Sequence, residues 1–302
     1  MSSEQIVERR VTLSSDQMSV TVLASHGARI TNVRNVVDGR EWLSQALDST
    51  RGGRLESDAT FTETDHCGWD EMFPSVDACV FPSDPYLGIA VPDHGELWSR
   101  PWDVVEESDT LLSQRVRSLR FGYSFERTLR LEGTTLRCDY RCRVDSGVES
   151  ALPLLWALHP QFQMIEGTRL SLTGQRSTVL DTSSPEDVRA VAWAGDLVVQ
   201  RDVKPGSDRM FYLRPDDDVE HATLVDPSGS WLRVTWDRSF APYLGIWADH
   251  GRYTSGPVMA IEPTNGFFDE LARASENKLV TLFRPGEVVT WWVEVTLGEG
   301  AR

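Results

Sequence analysis

Two residues of this 302-residue chain combine a titratable side chain, an apolar run before it and a proline after it. His159 follows Leu154-Leu155-Trp156-Ala157-Leu158 and precedes Pro160; Glu262 follows Val258-Met259-Ala260-Ile261 and precedes Pro263. Proline disfavours helical backbone at the residue before it. Each residue is therefore expected to be extended, to end its strand and to sit at the rim of a sheet. An imidazole that titrates near ~6.5 can give and take protons at neutral pH. A carboxylate on the face of Val258 and Ala260 is costly unless it is paired or used. Position alone equally allows structural roles, with His159 capping a carbonyl and Glu262 accepting N–H bonds from the turn at Asn265-Gly266. A third candidate is His94, in the turn Pro92-Asp93-His94-Gly95 and followed by Trp98 and Trp102. Indole faces stack on the C–H faces of a sugar ring, although a solvated turn above two core tryptophans reads the same way.

Other chemical templates are missing. There is no GxSxG elbow, Walker A sequence, GxGxxG opening a helix or HExxH, and the aspartates lack EF-hand spacing. A carboxylate pair for glycosidic cleavage stays open, since any two strands could bring two acids together. The cysteines, Cys67, Cys79, Cys138 and Cys142, include no CxxC pair. Cys138 and Cys142 lie four apart in a strand, ~13 Å along it, too far for a mutual disulfide. All four read as thiols, and no metal site is expected.

The elements that must position these residues are strands. Alternation with period two runs through 121–131, 136–144 and 289–297, and Glu132-Gly133-Thr134 between the first two reads as a hairpin turn. Further strand-like runs are 18–23, 30–37, 152–158, 223–226, 231–236, 243–247, 258–261 and 279–283. Helical pattern is confined to 267–274 and 185–194. The expected fold is all-β, antiparallel sheets packed face to face, in a single domain over 1–302. The least strand-like stretch, 48–92, carries Trp69, Met72, Phe73 and Phe81, and an aromatic-bearing loop of that length is usually functional.

The chain has 30 Lys and Arg against 46 Asp and Glu, a formal charge of −16. That sign disfavours nucleic acid, anionic membranes and polyanionic substrates, but not a neutral small molecule. The start, MSSEQIVERR, has no apolar core of the signal-peptide kind, and no run reaches ~18 apolar residues. A cytoplasmic location without membrane attachment is the expectation.

Taken in order, these segments resemble the aldose 1-epimerase, or galactose mutarotase-like, family. The carrying residues are Gly68-Trp69-Asp70-Glu71-Met72-Phe73-Pro74, His94-Gly95, His159-Pro160-Gln161-Phe162, Asp208-Arg209-Met210-Phe211 and Ile261-Glu262-Pro263. The resemblance spans about 15–297 and rests on order and spacing. It implies one large antiparallel β-supersandwich with an open cleft, a monosaccharide substrate and no cofactor. It also implies that Glu262 is the catalytic base, His159 the acid, His94 a second histidine near the ring oxygen and Asp208 a hydroxyl-binding residue. Trp69, Trp98 and Trp247 are the candidates for stacking on the sugar, with a place in the core equally open to each because Trp is mostly buried, and Arg100 is the basic residue nearest the site in sequence. Arg54 lacks the surroundings of the family's early Asn-Arg pair, and His66-Cys67-Gly68 stands where a hexose-phosphate branch has Arg-Gly-Gly. With Asp70 and Glu71 near the cleft, a neutral sugar is expected. The protein is expected to be a monomer or homodimer. A non-catalytic carbohydrate-binding sandwich, or a lyase or hydrolase on a related sandwich, are the alternatives.

Overall fold

The computed structural model describes residues 9–46, 60–61, 64, 67–174, 178–184, 186–193, 197–198 and 204–300; Arg54 and His66 lie outside them. In chain order the first strands are β1 (Arg10–Ser14), β2 (Met18–Leu23), β3 (Arg29–Asn35), β4 (Trp69–Met72), β5 (Cys79–Val80) and β6 (Ala90–Val91). Next come β7 (Asp103–Glu107), β8 (Leu111–Arg117), β9 (Tyr123–Glu132), β10 (Thr135–Val144), β11 (Leu152–Pro153) and β12 (Ala157–Gln163). They are followed by β13 (Arg169–Leu172), β14 (Thr178–Asp181), β15 (Arg189–Ala192), β16 (Leu197–Val198), β17 (Asp208–Leu213) and β18 (His221–Val225). The last are β19 (Trp231–Trp236), β20 (Tyr243–His250), β21 (Pro257–Thr264), the helix α1 (Leu271–Glu276), β22 (Leu282–Phe283) and β23 (Val288–Gly298).

These strands build two large antiparallel sheets. One has ten strands in the order β1-β2-β3-β4-β12-β21-β20-β17-β14-β15; the other has nine, β16-β13-β18-β19-β23-β10-β9-β8-β7. The second shows how the sequence dictates the sandwich. Buried residues alternate with half-exposed ones along β9, and Glu132 pairs with Thr135 across a two-residue turn in which Gly133 adopts φ +56°. The buried set, including Phe125, Leu129, Tyr140, Trp291 and Val293, meets the first sheet in one continuous core.

Three sequence expectations change. Residues 189–192 form strand β15 rather than helix, because they pair with β14 from Thr178↔Ala192 to Asp181↔Arg189. The helix foreseen at 267–274 is α1, shifted to Leu271–Glu276. His159 and Glu262 do not end their strands. β12 runs on to Gln163 and β21 to Thr264. Pro160 sits opposite Trp69 of β4 and Pro263 opposite Leu244 of β20, so each strand keeps a paired neighbour past its proline. Both residues stand in mid-sheet, not at a rim.

The four cysteines are free thiols, and burial pushes Cys138 and Cys142 far up from the ordinary thiol range. Among the described residues no helix is long and apolar enough to cross a membrane.

Candidate active site

The ten-stranded sheet carries the site on its outer face, and strand parity puts it there. Residues paired directly across antiparallel strands share a face. Asp208, Met210 and Tyr212 of β17 pair with Asp249, Trp247 and Gly245 of β20, which pair with Val258, Ala260 and Glu262 of β21. In β12 the same row continues with His159, which faces Asp70 of β4. An open cleft of about 240 Å³ lies over this face. Ligand pockets commonly measure ~300–1,000 Å³, so the space is that of one small molecule.

The cleft brings together Glu262, His159, His94, Asp208 and Trp247. His159 Nδ1 lies 2.5 Å from Glu262 Oε1, and the two side chains are only 6% and 3% exposed. When Glu262 is ionised it can only accept, so the contact then needs the Nδ1–H form of His159, which leaves Nε2 for other partners. His94 Nδ1 is 3.0 Å from Asp93 Oδ1. The His94 ring centre lies 5.1 Å from that of His159. The turn that presents His94 is tightly built. Its N–H donates to the Val76 carbonyl at 2.7 Å, and its φ is +59°. A Cβ on the next residue, Gly95, would stand 2.0 Å from the Phe73 carbonyl oxygen, so only glycine fits there. Asp208 Oδ1 accepts from Arg252 Nη1 at 2.6 Å, and its Oδ2 lies 3.4 Å from Trp247 Nε1. Buried Asp249 accepts N–H bonds from Arg252, Tyr253 and Thr254 and so shapes the turn that brings Tyr253 to the cleft.

Three sequence candidates do not line the cleft. Trp69 has the parity of Glu71, facing the other sheet, and is fully buried in the core. Trp98 is buried behind the histidine turn, where its Nε1 donates to the Asp93 carbonyl at 3.0 Å and its ring meets Phe61 edge-on. Arg100 sends Nη1 to the Arg117 carbonyl at 2.6 Å. Asp70 and Glu71 are not cleft acids either. Both are fully buried, paired with Arg29 at 2.9 Å and Arg127 at 3.0 Å.

Other residues reach the cleft without a clear sequence signal. Phe61 stacks on His94 with ring centres 3.9 Å apart and meets His159 edge-on at 5.6 Å. Asp77, Asp93 and Asp269 raise the number of lining carboxylates to five, with Asp208 and Glu262; no lysine or arginine is among the described residues lining it. Asp269 accepts a hydrogen bond from Tyr212 Oη. Burial pushes its carboxyl up to about 8, with Asp77 and Glu262 adding to the rise and Tyr212 and Arg273 opposing it. Among the described residues no group of three or more His, Cys, Asp or Glu is arranged to hold a metal ion.

The raised Asp269 carboxyl has a consequence for stability. Between the ordinary 3.8 and about 8 the native state holds a proton that the unfolded chain has released. Its contribution is complete below that window and is lost as pH rises through it. Asp269→Asn holds a neutral side chain throughout. Melting curves at pH 5 and pH 8 should show a smaller loss of Tm for this variant than for the wild type. Equal losses would refute the assignment.

The fold is that of galactose mutarotase-like proteins. Solved structures similar to this chain include the Slr1438 protein from Synechocystis sp. PCC 6803, with 16% identity, TM-score 0.77 and 99% of each chain covered. A galactose mutarotase-like protein from Lactobacillus casei gives 18% identity and TM-score 0.76 over 96% of this chain and 100% of that one. A galactose mutarotase related enzyme from Lactobacillus acidophilus gives 15% and 0.72 over 96% and 98%. No protein-family model matches the chain, and no curated protein matches it.

Proposed function

We propose that the protein is a mutarotase, an aldose 1-epimerase that interconverts the α and β anomers of a free monosaccharide. The observation that carries this reading is the 2.5 Å contact between His159 Nδ1 and Glu262 Oε1 on the floor of a small open cleft. Ring opening needs two proton movements at one carbon. The O1 proton leaves, C1=O1 forms, and the C1–O5 pair moves to O5, which gains a proton. Because O1 and O5 are both bonded to C1, one compact acid–base unit can serve both. Glu262 Oε2 takes the O1 proton, and the His159 imidazolium gives its Nε2 proton to O5. Rotation about C1–C2 turns the other aldehyde face to O5, and the reverse transfers close the ring. General acid–base help contributes ~10²–10⁴ per group. His94 lies where it can hydrogen-bond a ring or ring-adjacent oxygen, Asp208 can accept from hydroxyls, and Trp247, with its ring centre 5.8 Å from that of His159, can cover a C–H face.

The cleft's five carboxyl groups favour a neutral substrate over an anion, even with Asp269 held protonated at neutral pH and Asp208 paired with Arg252. A phosphate or carboxylate usually needs Arg or Lys for charge-assisted bonds, and net negative charge slows the approach of an anion. Saturation-transfer NMR between anomers should therefore show exchange on glucose, galactose or arabinose. It should be at least ~10-fold slower in kcat/KM, or ~1.4 kcal/mol, on glucose 6-phosphate. No exchange on any free sugar would remove the mutarotase reading; faster exchange on the ester would remove the charge argument.

A further inference from the structure

Gly245 stands in the interior of β20, opposite Glu262 on one side and Tyr212 on the other. Its φ is outside the left-handed region, so the backbone does not demand glycine there. Glycine weakens a strand interior, and where it persists it often marks a close approach by another group. The approaching groups are identifiable. A Cβ at Gly245 would lie 2.8 Å from Met210 Cε, 3.1 Å from Glu262 Oε2 and 3.4 Å from Glu262 Cβ. The Met210 methyl ends a flexible chain and can swing away. Glu262 has no such freedom: Oε1 is tied to His159, the side chain is 3% exposed, and β20 holds its strand in register.

We propose that Gly245 is a positioning residue, whose missing side chain keeps the space in which Glu262 turns Oε2 to the cleft while Oε1 stays bonded to His159. The kinetic consequence rests on the mutarotase reading; the geometric one does not. A reacting group displaced by about 1 Å can cost ~10² in rate, and productive sites hold their groups within ~0.5 Å. A methyl 3.1 Å from Oε2 asks that oxygen to give by a few tenths of an ångström, just inside the ~0.5 Å tolerance, without touching the substrate-binding loops.

The test compares Gly245→Ala with Gly147→Ala, a control at a glycine whose Cβ would meet nothing within 4 Å. In protein labelled with ¹⁵N-histidine, the proton between His159 Nδ1 and Glu262 is followed by NMR and assigned by its loss in His159→Asn. Gly245→Ala should shift or abolish this resonance, and Gly147→Ala should leave it in place. Anomer exchange by Gly245→Ala should show kcat lowered by ~10-fold or more, KM changed by less than ~3-fold and Tm not reduced. A folded Gly245→Ala protein with the wild-type resonance overturns the proposal. If the wild type exchanges no anomers, the mutarotase reading falls, and the resonance alone decides the role of Gly245. A second variant, Gly245→Ala with Met210→Ala, removes the nearer clash. Return of the wild-type resonance in that variant would mean that the glycine makes room for Met210, which also overturns the proposal; a resonance still displaced supports it.

Discussion

Glu262→Gln and His159→Asn should each lower the anomer-exchange rate by ~10²–10⁴ while leaving the melting transition cooperative. Gln keeps the shape of Glu262 but cannot take a proton, and Asn cannot deliver one. The direct bond between the two residues adds a sharper expectation. Two independent groups would give losses that multiply. Two halves of one proton-transfer unit give strongly non-additive losses, because removing either disables the other. The double variant should therefore be no more than ~10-fold slower than the slower single variant. Saturation-transfer rates on the preferred sugar measure all three. A single variant near the wild-type rate would remove that residue from the reaction, and fully multiplicative losses would show that the two act separately. His94→Asn should reduce the rate less, since His94 is bonded to Asp93 rather than to the pair.

The acid and the base of this site could be read from their apolar runs and following prolines, and Asp208 from the order of the family-like segments, but not from alternation. Burial is nearly continuous along β20 and β21, so it is the pairing register that shows Asp208, Trp247 and Glu262 on one face, with His159 joining them from β12. What alternation cannot supply is the face of a residue whose strand is unrecognised. Trp69 was a plausible sugar contact while 48–92 read as a loop. As the first residue of β4, however, it turns with Glu71 toward the second sheet. Trp98 and Arg100 are near His94 in sequence, but one backs the turn and the other reaches to Arg117. Asp77, Asp269 and Phe61 come from segments distant in the chain and meet only in the folded molecule. The prolines misled for a related reason. Proline removes one donor and restricts its predecessor, yet Pro160 and Pro263 lie in strands paired on both sides of the sheet, where neighbouring bonds outweigh one missing N–H.

Beneath the cleft, Glu71→Ala should destabilise the protein by ~3–5 kcal/mol, a large share of the ~5–15 kcal/mol that folded domains typically possess. Glu71 belongs to β4 and receives Arg127 Nη1 at 3.0 Å, Tyr140 Oη at 2.9 Å and Trp156 Nε1 at 3.0 Å. Arg127 and Tyr140 come from β9 and β10, so this carboxylate ties the site-bearing sheet to its partner. Arg127 also donates to the Ala28 carbonyl and lies over the Trp102 ring at 5.3 Å. Burial pushes the Glu71 carboxyl up, and the three donors, Arg127 first, pull it back. Removing the carboxylate strands a guanidinium with no exposed surface. Replacing both charges, as in Glu71→Leu with Arg127→Met, should recover part of the loss, because it removes the stranded guanidinium but leaves Tyr140 Oη, Trp156 Nε1 and the Ala28 carbonyl without these partners. Urea unfolding of the wild type and the two variants measures this. A Glu71→Ala loss below ~1 kcal/mol would show that Arg127 finds solvent or another partner. The effect should reach the cleft through β4, where Asp70 sits opposite His159 and Trp69 opposite Pro160. In Glu71→Ala protein held well below its melting temperature, kcat should fall while the apolar double variant retains it, since strand register and not the charge itself keeps His159 against Glu262.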